Sequence, residues 1–263
     1  MSNGYGYTKR TIEEIAFAGL SNVGISIDGL EETHNAIRNK IDSFREALSA
    51  LRLMVENGIE TAVVTCVFPQ TISQLEEMYR LFVCIGVKAW QLQLPNSMGR
   101  LQGKINEIDP ENVSSIIRFI ETKAYEQKMI VYAADSIGYF LENENVIRGR
   151  RSPLGFWNGC KAGINSFFID SVGNVKGCGS LYSECFIEGN IRKESLRSIW
   201  QDEGRFSYNR NFTTSLLTGA CADCESGILC KGGCRSSNYF NNGGTLYENK
   251  YCARLCRRSL AES

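Results

Sequence analysis

The sequence predicts an α/β fold, in which a parallel sheet covered by helices is followed by a smaller, cysteine-rich domain. Two observations support this prediction. Helix signals alternate with short apolar strands over residues 8–94. The cysteines are unevenly spread, because only Cys66 and Cys84 precede residue 160 and the other nine of the 11 lie from Cys160 onward. Apolar strands that alternate with helices are typical of a parallel sheet with helices on its faces.

Three strands are predicted in the first half, at residues 23–27, 61–67 and 89–94, each bounded by a glycine or a polar turn. Capping boxes at Thr11 with Glu14 and at Ser73 with Glu76 predict two helix starts, and a third helix is predicted to begin near Asp42. Three strands are too few to close a barrel, and the first strand would have an unpaired edge. We therefore expect a missing upstream part, the alternative being a small three-stranded sheet that is complete.

Composition excludes several classes of function. The chain has 29 basic and 29 acidic residues, a balance that gives no field for holding nucleic acid. Its apolar runs are too short to cross a membrane, and its first residues lack a signal peptide. We expect a soluble, cytoplasmic protein. In a reducing compartment, abundant cysteines indicate metal ligands or reactive thiols more than disulfides.

The cysteine spacing predicts a metal centre. Cys160 and Cys178 frame a CX12GX4C motif, and CX2CX5CX3C follows at residues 221–234, with Cys252 further on. Because the chain has one histidine, the ligands must be nearly all sulfur. Structural zinc and iron-sulfur clusters both satisfy this constraint, and spacing alone favours neither.

These motifs resemble the seven-cysteine SPASM domain that follows the barrel in many radical S-adenosylmethionine (SAM) enzymes. The segments GNI (189–191), SLRSIW (195–200) and CKGGCR (230–235) are similar to that domain. In the first half, SIDG (26–29) and HNAIR (34–38) resemble the fourth barrel strand and the turn after it, and Asn3-Gly4 the exit of the third.

The resemblance implies the C-terminal part of a radical SAM partial (β/α) barrel followed by a small SPASM iron-sulfur domain. Residues 1–103 would form the barrel from its third strand onward, residues 104–155 a helical connector and residues 156–263 the SPASM domain. The CX3CX2C motif that binds the SAM-cleaving cluster and the GGEP-like motif do not occur in the sequence. We expect either a fragment of a longer enzyme or a degenerate relative, inactive on its own.

The resemblance also implies cofactors and their ligands. Cys160, Cys178 and Cys234 would bind a first auxiliary [4Fe-4S] cluster. A second such cluster would be bound by Cys221, Cys224, Cys230 and Cys252. The first set is one ligand short, and Cys185, Cys256, substrate or water could complete it. SAM and a third [4Fe-4S] cluster would bind only if the missing N-terminal part exists.

Ser26 and Arg38 match positions that contact the amino-acid end of SAM in this family, where a guanidinium can clamp a carboxylate. His34 is expected to be structural. Gln91 and Gln93 point to the same side by the period of a strand and either line the barrel or pack within it. Asp28 is expected to be a turn former before glycine.

Two functions of different class follow from the resemblance. The first is a maturase that modifies a ribosomal peptide by hydrogen abstraction, forming a crosslink or an epimer. Sulfatase maturation is disfavoured because Gly179 stands where those relatives carry an aspartate. Its partners would be a peptide substrate with a leader, a separate leader-binding protein and a reductant such as flavodoxin or ferredoxin. The alternative is a non-catalytic auxiliary iron-sulfur electron carrier or peptide-binding partner.

Overall fold

The computed structural model of the protein describes residues 1–103, 109–148 and 156–254. The chain divides into two compact units. The sheet unit comprises the described residues of Met1–Pro95, Asn106–Phe156 and Ala253–Ser263. The cysteine-rich unit comprises those of Asn96–Ile105 and Trp157–Cys252. The two units differ in their secondary structure.

A parallel sheet of four strands organises the sheet unit. Its strands are β1 (Asn22–Ser26), β2 (Glu60–Cys66), β3 (Ala89–Gln93) and β4 (Ile130–Ala133), in the order β1-β2-β3-β4. The first three confirm the predicted strands. β4 pairs with β3 from Ala89 opposite Ile130, so a segment predicted within the connector contributes a strand to the sheet. The predicted domain boundaries stay predictions.

The outer edge of β1 is paired at one residue near the start of the chain. Ser2 N–H donates to the Gly24 carbonyl (2.8 Å), and Ser26 N–H donates to the Ser2 carbonyl (2.9 Å). The chain then turns at Gly4, which has φ +75° and whose added Cβ would lie 2.8 Å from Ala47 Cα. Only glycine fits this turn without displacing the backbone at Ala47.

Helices cover one face of the sheet. Those of the sheet unit are α1 (Lys9–Phe17), α2 (Glu31–Arg38), α3 (Ser43–Glu56), α4 (Pro69–Ile72), α5 (Leu75–Ile85), α6 (Pro110–Glu126) and α7 (Glu144–Ile147). Trp90 on β3 is fully buried and packs edge-to-face on Phe82 of α5 and Phe119 of α6, with centroids 5.0 and 5.6 Å away. Its indole N–H donates to Thr65 Oγ1 (2.8 Å). The core therefore lies between the sheet and α3, α5 and α6.

Both predicted capping boxes are wrong. Thr8 is the N-cap of α1, and its hydroxyl accepts the Thr11 N–H (3.2 Å). The helix begins earlier because Thr8 offers the same hydroxyl three residues upstream. Ser73 closes the short α4, and α5 begins after Gln74 without a side-chain cap.

The cysteine-rich unit is made of short elements. Strands β5 (Phe168–Ile169), β6 (Asn174–Lys176) and β7 (Gly189–Asn190) form an antiparallel sheet. Its α-helices are α8 (Leu196–Gln201), α9 (Ser207–Arg210), α10 (Gly227–Cys230) and α11 (Arg235–Asn241). Irregular backbone joins them, so the cysteines lie mostly in turns.

Across the described ranges, none of the helices combines the length and the apolar character that crossing a bilayer would require.

Candidate functional site

The open face of the sheet carries polar side chains at the carboxyl ends of the strands. In the strand register, Ser26 pairs with Val64, Val64 with Gln91 and Cys66 with Gln93. Register partners in a parallel sheet share a face, and side chains two residues apart lie on the same face. Gln91 and Gln93 are half-buried on this face, while their neighbours on β3 are buried on the other. Ser26 therefore lies in the same row as Gln91.

Arg38 is held by an ion pair with Asp28. Arg38 Nη2 lies 2.7 Å from Asp28 Oδ2, and Cys66 N–H donates to Asp28 Oδ1 (3.0 Å). Asp28 is 3% exposed, and burial raises its pKa while Arg38 opposes the rise. Asp28 is thus more than the predicted turn former, because it orients Arg38. A carboxylate directly after a buried parallel strand is a signal for such a role.

His34 is buried and bridges α2 to its surroundings. Its Nδ1 accepts the Asp28 N–H (3.0 Å), so Nε2 carries the proton and donates to Ser43 Oγ (3.1 Å). Burial, aided by Arg38, lowers its pKa to about 4. The imidazole is neutral at pH 7, and these contacts agree with the predicted structural role.

Cys66 is a thiol at the end of β2 that no sequence motif singled out. Burial raises its pKa to about 12, and Asp28 adds to the rise. A hydrogen bond with the Gln93 side chain acts in the opposite direction. The group is a neutral thiol at pH 7, which places an S–H beside Asp28 and Gln93.

The second predicted set comprises Cys221, Cys224, Cys230 and Cys252, which all lie in the cysteine-rich unit. Cys221 ends a 3₁₀ turn, and Cys224 N–H donates back to the Cys221 carbonyl (3.3 Å). Burial raises the pKa of Cys230 to about 12, and the nearby Cys252, Cys221 and Cys224 thiols raise it further. The other three cysteines of this set therefore lie within electrostatic range of Cys230.

A left-handed turn separates Cys230 from Cys234. Lys231, Gly232 and Gly233 have φ of 55°, 78° and 83°. A Cβ on Gly232 would lie 2.7 Å from the Tyr247 carbonyl oxygen, so this position needs glycine. The turn fixes the path of the chain between cysteines of the two predicted sets.

Cysteines of the first predicted set act electrostatically on Tyr208 and Arg235. Burial raises the pKa of Tyr208, and the charges of Glu188, Cys160 and Cys178 add to the rise. Cys160 and Cys234 both act electrostatically on Arg235. Cys160 thus lies within electrostatic range of both buried side chains.

Several of the sulfur atoms accept hydrogen bonds. Ser180 N–H donates to Cys178 Sγ (3.4 Å), and Asn249 N–H donates to Cys221 Sγ (3.5 Å). Cys234 Sγ lies 3.3 Å from Ser236 Oγ. Hydrogen bonds to sulfur favour the thiolate and tune the potential of a bound cluster.

The candidates for a fourth ligand of the first set lie elsewhere or outside the described residues. Cys185 is exposed, and its Sγ lies 3.2 Å from Ser183 Oγ and 3.5 Å from Tyr239 Oη. Cys256 lies outside the described residues. At position 179, an added Cβ would lie 3.0 Å from the Phe168 ring, so an aspartate there would require that ring to shift.

The donor chemistry fits a thiolate-bound metal group. Within the described ranges, no three His, Cys, Asp or Glu side chains are grouped so that they could hold a metal ion. Fe–S clusters are bound by four thiolates, and the electrostatic proximity of Cys221, Cys224, Cys230 and Cys252 is compatible with that arrangement. The assignment of these residues as ligands stays a prediction.

Two family models match the chain, one in its first half and one in its second half. The family model for the Radical SAM superfamily matches residues 1–82. The model for the SPASM iron-sulfur cluster-binding domain matches residues 160–225.

Curated relatives are similar over most of this chain. The AdoMet-dependent heme synthase of Methanosarcina barkeri is 26% identical, over 95% of this chain and 72% of its own length. The mycofactocin maturase MftC of Mycolicibacterium smegmatis is 28% identical, over 91% and 59%. The cysteine-type anaerobic sulfatase-maturating enzyme of Clostridium perfringens is 25% identical, over 88% and 62%.

Solved structures share the fold. SuiB of Streptococcus suis superposes with a TM-score of 0.70 at 16% identity, covering 95% of this chain and 59% of that one. The enzyme anSMEcpe with bound AdoMet gives 0.68 at 20% identity, covering 99% and 68%. At these identities the likeness concerns the fold alone.

Proposed function

We propose that the chain is a member of the radical SAM proteins that carry a SPASM iron-sulfur domain, and that it acts in the maturation of a ribosomally made peptide. The observation that supports this proposal most is that all seven predicted ligand cysteines lie in one compact unit, part of which matches the SPASM family model. Two of the relatives are maturases by name. SuiB, a structural neighbour, has been crystallised with its precursor peptide SuiA.

The polar row of the sheet would bind SAM. Arg38 would clamp the SAM carboxylate through two parallel N–H bonds, and Ser26 would donate a hydroxyl to it. Asp28 would hold the guanidinium in the orientation that this clamp needs. Gln91 and Gln93, on the same face, would position the peptide against the reacting carbon.

The two cysteine sets would hold auxiliary [4Fe-4S] clusters, the first through Cys160, Cys178 and Cys234 and the second through Cys221, Cys224, Cys230 and Cys252. Such clusters accept an electron or ligate the substrate when bound. The N–H groups that donate to Cys178 and Cys221 would stabilise the thiolate form of these ligands. Iron in the first set would keep one position for substrate, water or a further cysteine.

SAM cleavage would need a third cluster bound through a CX3CX2C motif, which the sequence does not contain. We therefore propose that these 263 residues do not cleave SAM alone. The partners would be a peptide with a leader, a leader-binding protein and a flavodoxin or ferredoxin.

The test begins with anaerobic loading of the full chain with iron and sulfide. Two [4Fe-4S] clusters predict about eight irons per chain and charge-transfer absorbance. Stoichiometric zinc without that absorbance would contradict the cluster assignment. Incubation with SAM and dithionite should yield no 5′-deoxyadenosine, and its detection would contradict the proposed inactivity of the isolated chain.

A second candidate is a reaction on a tetrapyrrole, favoured by the AdoMet-dependent heme synthases, which are 26% identical over 95–98% of this chain. Titration with haem, followed by its absorbance, separates the two candidates. Saturable binding at one haem per chain that Gln91→Ala and Gln93→Ala weaken would favour the tetrapyrrole. Absence of such binding favours the peptide.

A further inference from the structure

Arg235 is a fully buried cation in the cysteine-rich unit, with 0% of its surface exposed. Its Nη1 donates to the carbonyls of Lys231 (2.6 Å) and Leu246 (3.1 Å). Its guanidinium lies over the Tyr247 ring, 4.5 Å from the centroid. These contacts fix the position of the charge without neutralising it.

The guanidinium has no carboxylate partner among the residues that the structure describes. Its Nη2 is buried and makes no hydrogen bond within that part of the chain. A buried charge is costly unless an anion compensates it. The arrangement therefore requires a negative group nearby that is not an aspartate or a glutamate.

The candidates for that negative group are cysteine sulfurs. Arg235 directly follows Cys234 in the chain, and its Nη1 donates to the carbonyl of Lys231, the residue after Cys230. Burial lowers the pKa of Arg235, and the charges of Cys160, Tyr247, Cys234 and Cys230 oppose this effect. Cys160 and Cys234 belong to the first predicted set, and Cys230 belongs to the second. The cation thus stands among ligand candidates of both sets.

We propose that Arg235 is the fixed counter-charge shared by the two auxiliary cluster sites and that it raises their reduction potentials. The inference rests on the proposed function, in that the two sets hold clusters. A cluster bound by thiolates is anionic and becomes more negative when it takes one electron from a reductant. A nearby fixed cation stabilises the reduced form more than the oxidised form, because its Coulomb attraction grows with the charge of the cluster.

Arg210 provides a matched control in the same unit. Its Nε donates to the Gly163 carbonyl (2.7 Å), and its Nη2 donates to the Trp200 carbonyl (2.9 Å). It also lies over the Trp200 ring, 4.8 Å from the centroid. Arg210 therefore shares the carbonyl and aromatic contacts of Arg235, and these contacts involve no cysteine.

The test uses the full chain loaded anaerobically with iron and sulfide, as wild type and as the variants Arg235→Gln, Arg235→Lys and Arg210→Gln. Iron content is measured first. The ratio of reduced to oxidised cluster is then measured by electron paramagnetic resonance in samples poised with dithionite and redox mediators. A wild type that binds no iron would overturn the proposed function and this inference together.

For Arg235→Gln we expect full iron content and a ratio of reduced to oxidised cluster about tenfold lower at a given potential, which is about 59 mV for one electron. Arg235→Lys should keep most of the wild-type ratio, and Arg210→Gln should leave it unchanged. An unchanged ratio in an iron-loaded Arg235→Gln would overturn the inference alone. An equal decrease in Arg210→Gln would do so as well.

If Arg235→Gln loses iron, the Arg235→Lys variant shows whether the site needs the charge or the shape of the side chain. Restored iron and a near wild-type ratio in Arg235→Lys support the inference, since lysine keeps the charge but not the fork of hydrogen bonds. Equal loss of iron from Arg235→Lys would overturn it, because the shape of the side chain rather than its charge would then be what the site needs.

Discussion

The sheet unit and the cysteine-rich unit differ in what they bury. The sheet unit buries large apolar side chains such as Trp90, Phe82 and Met54 between a sheet and long helices. The cysteine-rich unit has strands of two or three residues, and one of its largest buried side chains is Arg235. Several polar residues are buried beside it, namely Asn209, Ser236, Ser237, Asn238 and Asn249. Apolar burial can stabilise the first unit, whereas the second buries polar side chains that need hydrogen-bond partners. The proposed clusters would add to the stability of the second unit.

The two units should differ most in their response to the loss of the proposed second cluster. Cys230→Ser takes one thiolate from the second predicted set, and we expect about four of eight irons to be lost. Faster amide hydrogen exchange should follow in the cysteine-rich unit and not in β1 to β4. Cys84→Ser, at an exposed thiol of α5, is the control. Full iron content in Cys230→Ser would remove this residue from the ligand set.

Removing a core side chain from the sheet unit should lower the free energy of unfolding and leave the iron content unchanged. Trp90→Ala leaves a cavity between Phe82 and Phe119, and we expect the free energy of unfolding to fall by about 3–5 kcal/mol. Iron content should stay at the wild-type value. Phe17→Ala, at a side chain that is 96% exposed, should change the free energy by less than about 0.5 kcal/mol. Similar urea midpoints for the two variants would contradict the proposed core.

His34, in the sheet unit, should make the free energy of unfolding depend on pH. The unfolded chain binds a proton at this residue below pH 6.5, whereas the folded chain binds it only below pH about 4. Stability is therefore lost as the pH falls from 6.5 to 4, by up to about 3 kcal/mol. Urea denaturation of wild type and His34→Gln across this range measures the difference. Curves that run parallel would show that His34 is not the group responsible.

The smallest effects should come from two matched helix caps, one in each unit. The Thr8 hydroxyl accepts the Thr11 N–H (3.2 Å), and the Ser195 hydroxyl accepts the Ser198 N–H (3.0 Å). Thr8→Ala and Ser195→Ala should each lower the free energy of unfolding by about 1 kcal/mol. A much larger loss at Ser195, measured by urea denaturation of the iron-loaded chain, would show that the cysteine-rich unit depends more strongly on local hydrogen bonds.

The site could be predicted in part. The cysteine spacing allowed two ligand sets to be proposed, and the structure places Cys221, Cys224 and Cys252 within electrostatic range of Cys230. The assignment of these residues as ligands stays a prediction. The importance of Asp28 was missed, because its role depends on Arg38 ten residues later folding back onto it. Whether Ser26 and Arg38 contact SAM stays a prediction.

By itself the sequence predicted the resemblance to radical SAM proteins with a SPASM domain, the parallel α/β fold and the positions of the first three strands. These depend on local signals, namely the periodicity of apolar residues and the spacing of cysteines and glycines. Only the tertiary structure decided which hydroxyl caps α1, which carboxylate holds Arg38 and that Arg235 is a buried cation without a carboxylate partner among the described residues. Burial and charge pairing depend on residues that are distant in the chain, and no local pattern records them.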